Sequence, residues 1–256
     1  ADVRRAEVRA LPAVHLEARA VAAMSDSLQE VFDIGVFWEY RTILLRGLAV
    51  NFYVFTAAAA LALGVGLGAA LLRVSRFRPL RWLGTVHVES FRNAPDYVMV
   101  VWVHFVLPLL IGTVLHSRFE FNPFVSAVIA LGLVYSGYFA ETFRAGIEAV
   151  PIGHLEAARS CGMSERQILW RIILPQVVRR MLPESINQFI SLFKATTIVS
   201  LIAVPDLMYQ VSMITQQQMR PLPLYTGAAL TYFVIVLVAG TVLRALAERW
   251  RTRILA

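Results

Sequence analysis

The chain has a single cysteine, Cys161, and a single lysine, Lys194. One cysteine forms no intramolecular disulfide and builds no cysteine-rich zinc site. A phosphate-binding loop of the GxxxxGK[ST] kind needs glycine directly before its lysine. Phe193 stands there instead, so a nucleotide site of that kind is excluded, and if ATP drives the function another chain must hydrolyse it. Charge is scarce altogether. Of the 256 residues 16% are charged and 58% hydrophobic, against about 25% and 45–50% in soluble domains.

Where charge is missing is more telling. Residues 47–72, 97–115, 121–140 and 221–243 contain no Asp, Glu, Lys or Arg. A bilayer core needs roughly 20 mainly apolar helical residues to cross it, which excludes a soluble enzyme and a disordered tail. Residues 185–205 form a fifth stretch, broken only by Lys194, with Ile186, Phe189, Ile190 and Phe193 at helical spacing. A charge in a span costs on the order of 2.5–3.5 kcal/mol and is tolerated where it faces protein or water. Spans are therefore expected at about 47–72, 95–115, 121–143, 184–205 and 221–245 within a membrane domain of residues 47–250.

The arginines give these spans a direction. Fifteen lie between spans one and two (Arg73 to Arg92), between three and four (Arg144 to Arg180) and after span five (Arg244 to Arg253). The other two connections hold only Arg118 and Arg220. The positive-inside rule puts the fifteen in the cytoplasm. The expected fold is an all-α membrane protein of five transmembrane helices, N-terminus outside, with residues 251–256 as a cytoplasmic tail. The net charge of +7 then reads as a topology signal, not a nucleic-acid footprint. Residues 1–23 alternate Arg, Glu and Ala without the pattern of a signal peptide. They are expected to be either a solvated helix or a start-site artefact ahead of Met24, without function, and residues 24–46 an amphipathic lead-in.

The longest connection carries the most specific pattern. Within a loop at 149–175, a helix is expected after Pro151, with Glu156, Ala157 and Ala158 in its body and Gly162 at its C-terminal turn. Ser164 followed by Gln167 is a capping-box signature for a second helix, in which Ile168, Leu169, Ile172 and Ile173 recur at helical spacing and which Pro175 is expected to close. Such a helix–turn–helix suits a docking element; an ordinary amphipathic loop on the membrane surface fits the spacing equally.

These residues resemble the loop motif of the permease subunits of ABC importers: Glu-Ala-Ala, three residues, Gly, nine residues, Ile, one residue, Leu-Pro. Glu156, Ala157, Ala158, Gly162, Ile172, Leu174 and Pro175 fit each position. The stretch from Phe139 through Glu141 to Arg144, the residues Glu89, Arg92 and Pro95, and Asn187, Gln188 and Lys194 are similar to segments of the polar amino acid importers, those of the histidine, glutamine and arginine kind. The resemblance implies a non-catalytic, multi-pass permease subunit in a bacterial cytoplasmic (inner) membrane, with no cofactor of its own. It also implies a second permease chain, related or identical, and two ATP-binding subunits that use ATP and Mg and receive the loop. An extracytoplasmic amino-acid-binding protein would deliver the solute, and nucleic acid plays no part.

Departures from that pattern raise the remaining site candidates. His154 and Leu155 replace the usual residues before the motif, and a solvated loop histidine is the plain reading of His154. Ala195 stands where the family often has an acid, and Asp96 where it has leucine. Asp96 could neutralise Lys194. Alternatively Asp96 and Glu141 could line the pathway and meet a cationic amino acid group, or Asp96 could sit hydrated beside Arg92. Asn187, Thr196 and Thr197 could line the pathway or only bond neighbouring helices. Gly64 and Gly68 form a GxxxG that could bring helices close. An ion-coupled secondary transporter is the alternative class, but no internal repeat of the kind such carriers show is visible. An intramembrane enzyme would need a buried Ser–His or acid pair, and His104 has no serine at helical spacing.

Overall fold

The computed structural model describes residues 34–252. The expected extension 1–23, the first ten residues of the lead-in and the last four of the tail lie outside the described residues. In chain order the helices are α1 Ile34–Glu39, α2 Arg41–Arg73, α3 Arg78–Arg92, α4 Asp96–Leu115, α5 Pro123–Glu148, α6 Ile152–Ser160, α7 Glu165–Ile202, α8 Leu207–Gln218 and α9 Pro221–Thr252. No strand occurs among the described residues. Among the described residues five helices, α2, α4, α5, α7 and α9, are long and apolar enough to cross a membrane.

The core forms where α2 and α5 lie side by side. Leu61 meets Gly132, and Gly66 meets Ser136, Phe139 and Ala140, so contacts advance together and the two helices run the same way. Ala58, Ala62, Ala69 and Ala70 of α2 face Ala127, Ala130, Leu131 and Val134 of α5 within one buried cluster. Small residues on both surfaces let the backbones approach, the usual basis of helix packing in membranes. Gly66 is the glycine at this contact; a Cβ there would sit 2.9 Å from the Ser136 carbonyl. Gly64 and Gly68 face open space, so among the described residues the GxxxG of the sequence packs against no other helix.

The connection between spans one and two is largely helix, and it climbs along α5. Pro79 opens α3 in its first turn, where its missing N–H costs nothing. Gly84 and Val88 are its buried residues, and His87 Nε2 lies 2.8 Å from Ser136 Oγ. The chain then breaks at Asn93–Pro95, where Pro95 is extended, and α4 continues in the same direction. Asp96 meets Tyr135 and His104 meets Ser126. Together α3 and α4 form one interrupted rod, antiparallel to α5. Its break lies beside Tyr135, at the midpoint of the 26-residue α5, hence about 18 Å from either end at 1.5 Å per residue.

Pro175 does not close a helix, contrary to expectation. α7 is one continuous rod of 38 residues that passes through Pro175 and Pro183. The reason is a π turn over Leu169–Ile173, in which the Leu174 N–H bonds back to the Leu169 carbonyl. The extra residue widens the helix just ahead of the proline ring. α4 repeats the device: a π turn over Trp102–Val106 precedes Pro108 by two residues, as Leu169–Ile173 precedes Pro175.

At the end away from the α6 loop a second cluster forms. Leu44 of α2, Leu207, Val211 and Ile214 of α8, and Leu224 and Ala228 of α9 are buried together, with Val36, Phe37 and Tyr40 against them. α2 therefore starts at Arg41 and not near residue 47: its first turns belong to this cluster.

Candidate functional site

The motif residues stand on a short projecting helix. Pro151, extended, starts α6, and Ile152, Glu156 and Ala157 are exposed while Ala158 is buried. Gly162 ends the helix in the left-handed region at φ 73°. Its N–H bonds to the Arg159 carbonyl at 2.9 Å, and the Met163 N–H bonds to the Ala158 carbonyl at 3.1 Å. These are the two bonds of a Schellman cap, and a glycine adopts that φ without steric cost. Ser164 and Gln167 form the reciprocal capping box that starts α7, and Arg159 pairs with Glu165 at 2.9 Å across the turn. Ile172 and Leu174 lie in and just after the π turn of α7, and Pro175 follows. The motif thus spans two helices of fixed relative geometry.

That helix pair is tied to the spans behind it. His154 Nδ1 lies 3.1 Å from Gln176 Oε1, so His154, although exposed, bridges α6 to α7. Arg180 of α7 donates to the carbonyl of Ala149, the C-cap of α5. Deeper, Glu141 pairs with Arg73 at 2.5 Å and with Arg144, while Arg92 lies 4.0 Å away. Arg144 also reaches Glu148. One acid thus gathers arginines from α2, α3 and α5, and both of its oxygens are engaged.

The other expected pathway residues separate into two groups. Asn187 and Lys194 are exposed on α7, seven residues apart and hence on nearly one face. They line a cavity of about 370 Å³ with Ser191 and, from α9, Phe233, Leu237 and Arg244. Thr196 is buried, and its hydroxyl donates to Phe193 O at 2.8 Å; that of Thr197 donates to Lys194 O at 2.8 Å. Asp96 accepts from the Tyr135 hydroxyl at 3.4 Å. Among the described residues Asp96 and Lys194 form no ion pair.

Sequence reasoning missed a buried polar node. Asn51 is fully buried and uses both ends of its amide. Its Nδ2 donates to Thr196 Oγ1 at 3.0 Å and Asp206 Oδ2 at 3.0 Å; its Oδ1 accepts from the Leu207 N–H and the Tyr232 hydroxyl, each at 3.1 Å. Asp206, also fully buried, caps α8 by accepting from Tyr209 N at 2.9 Å. The available signal was an asparagine inside a charge-free stretch, since an amide in apolar surroundings demands partners. Two His–Ser contacts were missed too, because each partner comes from another helix. Ser126 and Ser136 are fully buried, and these pairs join packed helices.

Residues 60–253 match the family described as binding-protein-dependent transport system inner membrane component. The chain belongs to this family. Its five apolar helices agree with an inner-membrane component. Among relatives, the arginine ABC transporter permease protein ArtQ of Escherichia coli (strain K12) is 33% identical over 215 residues, covering 77% of this chain and 90% of the relative. The probable glutamine ABC transporter permease protein GlnM of Bacillus subtilis (strain 168) is 35% identical over 173 residues, covering 68% and 77%. The solved structure described as an amino acid ABC transporter with histidines superimposes with a TM-score of 0.77 at 30% identity, covering 85% of this chain and 98% of that one. A chain of the MetNI methionine ABC transporter, at 18% identity and a TM-score of 0.61, shares the fold.

Proposed function

We propose that this chain is the permease subunit of a bacterial ATP-driven importer of a polar amino acid, with the arginine-rich end in the cytoplasm and the N-terminus outside. The observation that carries the reading is α6: a projecting helix with Glu156 and Ala157 exposed, capped by Gly162, and tied to α7 by the Arg159–Glu165 pair and the His154–Gln176 contact. Two ATP-binding subunits each receive one such helix and use ATP and Mg; a second permease chain completes the pathway; an extracytoplasmic binding protein delivers the solute. Displacement of α6 passes into α7 through His154–Gln176 and into α5 through Arg180–Ala149. The Glu141 cluster carries it on to the ends of α2 and α3. The relatives' names, arginine and glutamine permeases, support an amino acid as cargo. The binding-protein-dependent family leaves the ion-coupled alternative without support.

Gentle solubilisation of the chain from its native membrane, followed by mass spectrometry of what co-purifies, tests this. An ATPase and a second permease should accompany the wild type, and the ATPase should be lost from Glu156→Lys and Gly162→Asp. A folded wild-type chain that brings down no ATPase rejects the coupling role of α6.

A further inference from the structure

The cleft between α7 and α9 holds more positive charge than the spans' hydropathy suggests. Its first cavity, about 370 Å³, has Lys194 from α7 and Arg244 from α9 among its lining. A second cavity of about 240 Å³ follows along the same cleft, lined by Arg179, Pro183 and Ile186 of α7 and by Arg244 again. Arg244 therefore belongs to both. The Nε of Arg179 is buried and, among the described residues, without a hydrogen-bond acceptor. Lys194 and Arg179 are fifteen residues apart on one rod, about 22 Å at 1.5 Å per residue, and Arg244 lies between them in height. The contact of Ile190 with Gly240 fixes that order. Arg180 reaches the end of α5, which sets Arg179 at the arginine-rich mouth. Among the described residues Glu248 is the one acid lining either cavity, and it stands in the second.

A row of three cations spread over most of a bilayer's thickness does not face hydrocarbon, where charged side chains are strongly disfavoured. The row must face water or protein. Both cavities are open clefts of a size for small solutes, and the Arg179 Nε–H still lacks an acceptor. We propose that Lys194, Arg244 and Arg179 form a stepped anion track along the α7–α9 cleft, which passes the carboxylate of a small solute from the outer third of the span to the cytoplasmic mouth. The inference rests on the importer reading for its direction, and it assigns recognition of the cargo's carboxylate to these three side chains, with Asn187 and Ser191 as neutral hydrogen-bonding groups beside the first step. A carboxylate bound at Arg244 bridges the two cavities, because that guanidinium serves both.

The single native cysteine makes a test independent of the cargo's identity. In a Cys161→Ser background, the intact complex in native membrane vesicles carries Ser191→Cys or Leu237→Cys in the first cavity, or Ala247→Cys in the second. Each thiol is reacted with methanethiosulfonate ethylsulfonate, an anion, and with its ethyltrimethylammonium counterpart, a cation. A cleft lined by fixed positive charge concentrates anions roughly tenfold or more, so the anionic reagent should react faster at every position by at least about that factor, corrected for a free thiol. Lys194→Gln with Arg244→Gln should abolish the preference at residues 191 and 237. Equal rates for the two reagents, thiols unreactive to both in a folded complex, or a preference that survives removal of both charges would each overturn the track. ATPase co-purification is read on the same membranes. It follows α6 and not this cleft, so loss of the ATPase with the anion preference intact rejects the coupling role alone.

Discussion

Asn51 donates its Nδ2 to Asp206 Oδ2 at 3.0 Å, a hydrogen bond between side chains 155 residues apart, both fully buried. It closes the end of the bundle away from α6: α2 supplies the amide, α7 the threonine, α9 the tyrosine, and the turn before α8 the carboxylate. Asn51→Ala leaves the Asp206 carboxylate and the Leu207 N–H buried without that partner. A cost of about 2–3 kcal/mol is expected from such stranded groups, seen as a lower melting temperature of the detergent-solubilised chain.

Asp206 gives that end a pH response. Burial pushes its carboxyl up to about 6, although the hydrogen bonds from Tyr209 and Asn51 pull the other way. The folded protein thus holds the proton more tightly than the unfolded chain. Its stabilising contribution is complete below the ordinary carboxylate range and is lost as pH rises through about 6, on the order of 3 kcal/mol at most. The melting temperature should rise from pH 7.5 to pH 5, and Asp206→Asn should flatten that rise. A melting curve in which Asp206→Asn keeps the wild-type pH dependence contradicts this assignment.

Gly162 separates cap geometry from stability. A β-branched residue at φ 73° pays at least about 1–2 kcal/mol, and the Schellman bonds open to relieve it. Gly162→Val should therefore lose ATPase association, whereas Gly162→Asn, which tolerates the left-handed region, should keep most of it. Co-purification of the ATPase with each variant, beside its melting temperature, gives the comparison.

Glu141 holds arginines from three helices, so its neutralisation should cost more than that of a surface acid. Glu141→Gln is expected to destabilise by about 1–2 kcal/mol, less than a fully buried pair because the side chains keep some solvent contact. Combined with Arg73→Gln, the loss should be less than additive. A double-mutant cycle on thermal unfolding measures that coupling.

Charge gaps located the five long helices because hydrocarbon tolerates so little else, and the capping box at Ser164 and the turn at Gly162 could be read because caps are local chemistry. What escaped was decided by neighbours distant in sequence. Residues 74–95 join two spans, yet α3 climbs along α5 there, and Glu141 draws in Arg73 and Arg92 from either end. Asp206 lies just past the fifth apolar stretch and carried no signal of its own; packing by α2, α8 and α9 buries it. Pro175 looked like a stop because a proline's effect is judged from its own residue, whereas the π turn that accommodates it is set by the residues before it.

That π turn has a consequence for angle as well as continuity. One additional residue in a helical turn rotates everything beyond it by roughly 100° relative to an unbroken α-helix. α7 is therefore a drive shaft with a built-in phase offset: the bearing of α6 at one end and the azimuth of Asn187 and Lys194 at the other are set by the same extra residue. Deleting Ile173 would leave every span and every charge in place, would remove the residue between Ile172 and Leu174 of the motif, and would turn the distal face away from α9.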